Sequence, residues 1–442
     1  MFAAQDDVQV RHESLAALGE ARVQADKLFA LVRSDSLYER PIPERHRILF
    51  YIGHLEAFDW NLLRGSIPHP PSFHPEFDQL FAFGIDPVGG GLPTDQPEDW
   101  PALAEVHRYN HRIREALDAA IERPAFWKST FDGFPAGTLV NVAVEHRLMH
   151  AETLAYMFHQ LPLERKIRQG NTPAHTAQPL ALGMVEVPGG VATLGLSRDS
   201  PVFGWDNEYY VHMVSVPAFA MDRYKVTNGQ YLEFVDAGCY GNRSLWSEAA
   251  WNWKTEQHIS QPAFWKRRNG RWYCRTMFDE LPLPFDWPVY VSHAEAAAYA
   301  RWAGKKLPTE AQWHRAAYGT PTGSERHYPW GSETPDRAHG YFDFKRWDPT
   351  PVNAFPRAAS AFGVAGLMGN GWEWTSSVFE AFEGFQPFPF YPGYSANFFD
   401  GQHYVLKGGS TRTASCMLRR SFRNWFQPHY PYVYAGFRCV AE

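Results

Sequence analysis

Apolar positions fall into two different rhythms along this chain. In the first third they recur at helical spacing. Leu15, Leu18, Val23, Leu28 and Leu31 form one such stripe, and Leu103, Val106, Ile113, Leu117 and Ile121 form another. The second stripe follows Asp99-Trp100-Pro101, an N-cap residue with proline in the expected first turn. Glu44 to Leu63 and Val140 to Leu161 give two further helical segments, separated from their neighbours by a Pro/Gly-rich stretch from Pro68 to Pro97. Four such segments predict a four-helix bundle over residues 1–165, and bundle interiors are common places for metal sites built from facing helices.

The rhythm changes after a polar, proline-bearing stretch, Arg168-Gln-Gly-Asn-Thr-Pro-Ala-His-Thr-Ala-Gln-Pro179. We read residues 166–180 as a linker and 181–442 as a second domain. There, short strand-like runs such as Gly189 to Gly195 are punctuated by Gly, Pro and Trp. Helical spacing returns only over Val226–Ala237, His293–Ala303 and Thr309–Ala317. The expected fold class is α+β.

Composition narrows the functional classes. The 442 residues carry a net charge of −6 without a long basic run, which argues against nucleic acid or an anionic membrane as partner. The four cysteines are scattered and form no CxxC pair, as expected of a reducing compartment rather than a disulfide framework or zinc ribbon. The acidic start lacks a signal-peptide core, and no stretch approaches the roughly 18 apolar residues that span a bilayer. A cytoplasmic protein is expected.

The candidate chemistry sits in the fourth helical segment. His146 and His150 are four residues apart, so they share one helix face and can hold a metal ion between them. His54 offers a third imidazole from the second segment. Three neutral histidines leave coordination positions open, which suits iron that must meet substrate and dioxygen better than a closed structural site. The spacing alone is weak, since His107 and His111 repeat it. Glu152, two residues beyond His150, fits either a residue that orients a ligand histidine or a surface carboxylate.

The C-terminal part contains Val185-Glu-Val-Pro-Gly-Gly190, Tyr224-Lys-Val-Thr-Asn-Gly-Gln-Tyr231, Lys306-Leu-Pro-Thr-Glu-Ala-Gln-Trp313 and Tyr328-Pro-Trp-Gly331. Further on come Gly366-Leu-Met-Gly-Asn-Gly-Trp-Glu-Trp374, Gly408-Gly-Ser410 and Ala435-Gly-Phe-Arg438. These strings resemble the formylglycine-generating-enzyme fold, a C-type-lectin-related domain with little regular secondary structure. Joined to a DinB-like bundle with His54, His146 and His150, the whole chain resembles the ergothioneine-type sulfoxide synthases. That resemblance implies an iron(II) enzyme that uses dioxygen to join a chalcogen to C2 of the hercynine imidazole. It implies the three histidines as iron ligands, Asn424 and Trp425 as hercynine-pocket residues, and a phenol, Tyr391 or Tyr394, as proton donor. Trp372 and Trp374 are expected in the core.

The departures from the family pattern concern the donor. Where the thiol-using synthases have an acidic and then a basic residue after Asn-Trp, this chain reads Phe426-Gln-Pro-His-Tyr430-Pro-Tyr-Val-Tyr434. A bidentate carboxylate clamp needs arginine, and this stretch has none. Met149 stands where a glutamine often precedes the second ligand histidine. The aromatic rings of Phe426 and Tyr430 and the amide of Gln427 suit a neutral, hydroxyl-rich sugar, so the selenoneine-synthase branch, with a selenosugar donor, is the expected one. A thiol-using hercynine sulfoxide synthase is the first alternative. A non-catalytic binding protein and a zinc-dependent thiol transferase are the others. Copper held by paired cysteines, as in formylglycine-generating enzymes, is not expected, because Cys416 stands alone after Gly-Gly-Ser410.

Overall fold

The computed structural model describes residues 2–67, 72–82, 92–169 and 180–441, which fall into two compact units, Met1–Gln169 and Gly170–Glu442. Most of the expected linker, residues 170–179, lies outside the described residues, as do parts of the Pro68–Pro97 stretch.

The first unit is built on four long helices, α1 (Phe2–Phe29), α2 (Ile48–Leu63), α4 (Leu103–Ile121) and α6 (Ala136–Gln160). Two shorter ones, α3 (Pro75–Leu80) and α5 (Pro124–Trp127), lie between them. Helix α1 packs on α6, and α2 packs on both α4 and α6. Helix α4 is amphipathic and turns Val106, Ile113, Leu117 and Ile121 fully inward. Helices α2 and α6 are buried on nearly every face, so polar residues on them must find partners inside.

Three expectations need correction here. Val23 is half exposed, because the inward stripe of α1 runs through Leu18, Ala21, Ala25 and Leu28 instead. Asp99 does not cap α4. It accepts from the Gln96 N–H, closing a single turn over Pro97–Asp99, and α4 begins four residues later. The Pro68–Pro97 stretch is not all loop, since Pro75 opens α3 and the His74 ring accepts from the Phe77 N–H.

The second unit centres on a four-stranded sheet in the order Asn424–Phe426, Tyr404–Gly409, Gly371–Val378, Ala435–Gly436, with only the last pairing parallel. Around it lie α7 (Asn228–Asp236), α8 (Glu248–Glu256), α9 (His293–Trp302) and α10 (Glu310–Tyr318). Helix α8 has no counterpart in the sequence reading. Two of the sequence strings are helix starts: Thr227 with Gln230, and Thr309 with Gln312, form capping boxes.

Four of the strings meet at one buried carboxylate. Glu373, from Gly-Trp-Glu-Trp, accepts from Arg438 (2.6 and 2.8 Å), Lys225 (2.8 Å) and the Trp313 indole (2.9 Å). Burial alone would raise the Glu373 carboxyl, but Arg438 and Lys225 hold it below its usual range. Trp372 and Trp374 are buried beside it, as core residues should be.

Candidate functional site

The three expected ligand histidines converge in the interior of the helical unit. His54 comes from α2, and His146 and His150 from α6; each is at most 3% exposed. The Nε2 of His150 lies 3.1 Å from that of His146 and 3.3 Å from that of His54. Nitrogens about 2.1 Å from a shared ion would lie about 3.0 Å apart at right-angled positions and about 3.4 Å apart at tetrahedral ones. The observed spacings fall between these values, so the cluster fits one transition-metal ion. Among the described residues it is also the group of titratable side chains whose atoms converge closely enough to hold one.

The surroundings prepare the imidazoles for that task. Burial pushes His54 down to about 4, and drives His146 and His150 well below 6.5. All three are therefore neutral near pH 7, the form that ligates metal. The Nδ1–H of His54 donates to the Phe81 carbonyl (2.7 Å), which leaves Nε2 as the ligand atom. Phe81 can come this close because residue 53 is glycine: a Cβ there would lie 2.6 Å from the Phe81 ring. Phe50 and Phe58 stand one turn either side of His54. The Phe50 ring stacks on His54 (4.9 Å) and the Phe58 ring on His146 (3.4 Å), closing the imidazole faces to water.

Neither Phe81 nor the two flanking phenylalanines figured in the sequence reading. The i−4, i, i+4 spacing of Phe50, His54 and Phe58 was the available signal for the latter pair. Glu152 is buried on α6 and Met149 is partly exposed beside His150. His107 and His111 do not join the cluster. Both are exposed on α4, where His111 pairs with Glu115 at 3.2 Å.

The expected substrate residues lie in the second unit. Asn424, Trp425 and Phe426 form the edge strand of the central sheet and are each half-buried. The Trp425 ring lies flat on Phe379 (4.2 Å, 7°), with Tyr394 edge-on at 5.4 Å and Phe398 at 5.6 Å. Tyr394 is buried and stacks on Trp205 at 4.0 Å; Tyr391 is half-buried, 5.5 Å from Tyr394. The Asn424 carboxamide oxygen accepts from the Trp425 N–H (2.9 Å), so its NH2 group is the part left to address a ligand. Phe426 and Tyr430 stack in parallel at 5.4 Å, and His429 stacks on Trp253 at 5.0 Å.

The cations before this strand are already committed. Arg419 grips Glu208 (2.5 and 2.8 Å), Arg420 reaches Glu325 (2.8 Å), and Arg423 reaches Glu310 (3.1 Å). Cys416 is exposed, and no disulfide joins the four cysteines.

Residues 169–442 match the sulfatase-modifying factor enzyme 1-like domain family, and residues 17–154 match the DinB superfamily. A hercynine oxygenase of Mycolicibacterium thermoresistibile is 35% identical over 402 residues, covering 89% of this chain and 86% of that protein. A hercynine oxygenase of Mycolicibacterium smegmatis is 34% identical, with 89% of both chains covered. Ergothioneine biosynthesis protein 1 of Schizosaccharomyces pombe is 27% identical over 93% of this chain and 53% of its own length. No helix among the described residues is long and apolar enough to cross a membrane. With both domains in the same order and similarity running through nearly its whole length, the chain belongs to the ergothioneine-type sulfoxide synthase family and is an enzyme of that class.

Proposed function

We propose that this enzyme uses iron(II) and dioxygen to form a carbon–chalcogen bond at C2 of the hercynine imidazole, with a selenosugar as donor. The observation that carries the first part is the buried cluster of three neutral imidazoles, in a chain whose relatives are named for hercynine oxygenation and ergothioneine biosynthesis. Iron(II), when bound, supplies the redox chemistry by which dioxygen oxidises the chalcogen donor.

The chain's own residues do the rest. His54, His146 and His150 hold the metal, and Phe50 and Phe58 keep water from their faces. Trp425 offers an indole to the trimethylammonium group, a cation–π contact worth about 0.5–2 kcal/mol. The Asn424 NH2 donates to the hercynine carboxylate. Tyr394, the phenol nearer to Trp425, holds the transferable proton at its oxygen, with Tyr391 as the neighbouring alternative. Met149 and Glu152 are assigned to the substrate side of the metal and to support of a ligand histidine.

The donor assignment rests on charge. A zwitterionic thiol needs a fixed cation for its carboxylate. Residues 424–434 contain no arginine or lysine, and the three arginines before them are each tied to a carboxylate. The parallel pair Phe426 and Tyr430 suits the apolar face of a sugar ring. The test is anaerobic iron(II) loading, then oxygen exposure with hercynine and an equimolar mixture of selenosugar and γ-glutamylcysteine or cysteine, read by mass spectrometry. A hercynine adduct with the selenium isotope pattern is expected. A sulfur adduct alone moves the enzyme to the thiol-using branch, and no adduct with either donor removes the proposed reaction.

A further inference from the structure

Behind the imidazoles lies a second buried layer that metal ligation leaves without a task. Arg147 follows ligand His146 directly and is 1% exposed. Its guanidinium donates to both oxygens of Glu56 (3.0 Å each), to the Leu55 carbonyl (2.9 Å) and to Asp59 (2.5 Å), all on α2. Glu56 also accepts from Arg114 of α4 (2.6 and 2.9 Å), and Arg114 grips Asp26 of α1 through both carboxylate oxygens (2.7 and 2.8 Å). One run of hydrogen-bonded charges thus joins all four long helices.

Its position relative to the ligands is informative. Glu56 comes two residues after His54, about 200° round the helix. Arg147 comes one residue after His146, about 100° round. The two helices that present the imidazoles on one side are therefore tied to each other on another.

Stability gives little reason for such a tie. Taking charges out of water is costly, and well-packed apolar residues of similar size commonly serve as well or better. The set is also incompletely satisfied, since Asp59 Oδ1 and Arg147 Nε lack hydrogen-bond partners among the described residues. What a fork-to-carboxylate grip adds over apolar packing is direction: it tolerates little sliding or rotation of one helix against the other.

We propose that Arg147, gripped by Glu56 and Asp59, is a positioning residue for the metal. It fixes the spacing and rotation of α2 against α6, and so holds the three Nε2 atoms at the bite an ion needs. The inference rests on reading the three histidines as a metal site.

The test compares wild type with Glu56→Leu/Asp59→Leu/Arg147→Met, which replaces the whole buried set by apolar residues, and with Arg147→Lys, which keeps the charge but loses the fork. Each metal-free protein is melted, then titrated anaerobically with cobalt(II), whose visible bands report ligand geometry. The triple variant is expected to melt within a few degrees of wild type, yet bind cobalt about 10–100-fold more weakly, with altered bands. Arg147→Lys is expected to fall between the two. Unchanged affinity and bands in a folded triple variant overturn the proposal. If the triple variant does not fold, unchanged binding by Arg147→Lys overturns it. A wild type that binds no cobalt, or binds it as well with His150→Ala, instead removes the metal reading beneath it.

Discussion

The two units bury charge for different ends. In the helical unit, Arg147, Glu56 and Asp59 form a buried ionic set within five residues of His146 or His54, beside three imidazoles whose basicity burial depresses. In the C-terminal unit, Glu373, Arg438, Lys225 and Trp313 join four separate stretches of a chain with little regular structure. That set does the work a longer sheet would do elsewhere. The proposed substrate residues of this unit, Asn424 and Trp425, sit instead on a half-buried edge strand lined by rings. A metal needs a few atoms fixed to within a fraction of an ångström, which suits three buried imidazoles carried by helices. An organic zwitterion needs an open surface with faces and donors.

If this division is correct, variants in one unit should leave the signature of the other untouched. The largest effect is expected from His150→Ala, which should weaken iron(II) binding by about a thousandfold or more in an anaerobic equilibrium titration. Turnover retained in that variant would break the assignment outright.

Glu373→Ala comes next. It strands two buried cations and should cost about 3–5 kcal/mol of stability by chemical denaturation. Iron titration of the protein that remains folded should be unchanged; a parallel loss of metal affinity would mean that the units are not separable in this way.

The third effect is of pH on the metal-free protein. Between about 4 and 6.5 the unfolded chain carries a proton on residue 54 that the folded chain refuses. Stability from this group is therefore complete above 6.5 and is lost as the pH falls towards 4, amounting to on the order of 3 kcal/mol for this one imidazole. Urea unfolding at pH 7 and pH 4.5 should show that loss together with further losses of the same sign from His146 and His150, and His54→Asn should remove only the His54 share. Equal slopes in the two proteins would contradict the burial account.

The smallest effect is expected from Trp425→Ala. Losing a contact of about 0.5–2 kcal/mol should raise the hercynine dissociation constant by roughly 2–30-fold, with iron stoichiometry unaltered.

The same contrast explains what could be read from the chain. His146 and His150 are visible because helical geometry converts a spacing of four into a shared face. His54 has no local signal and enters through the resemblance of the whole chain. Phe81 was not legible at all: its role depends on the backbone after a short helix, in a stretch whose prolines and glycines read as loop, and on glycine at position 53 giving it room. Arg147 carries no local signal, because its partners lie some ninety positions away. In the C-terminal unit the motif strings were legible and their meeting at Glu373 was not, since long-range ion pairing leaves no period. The ring packing around Trp425 is equally silent: Trp205, Tyr394 and Phe379 come from distant segments brought together only by the fold.

Three buried histidines are proposed to hold an iron that works on hercynine. Oxygen uptake by protein loaded with iron(II), measured with and without hercynine and donor, tests this proposal most directly. Uptake is expected to saturate at one iron per chain, to require hercynine and donor, and to disappear with His150→Ala. Uptake that ignores hercynine, or that proceeds equally without iron, would contradict it.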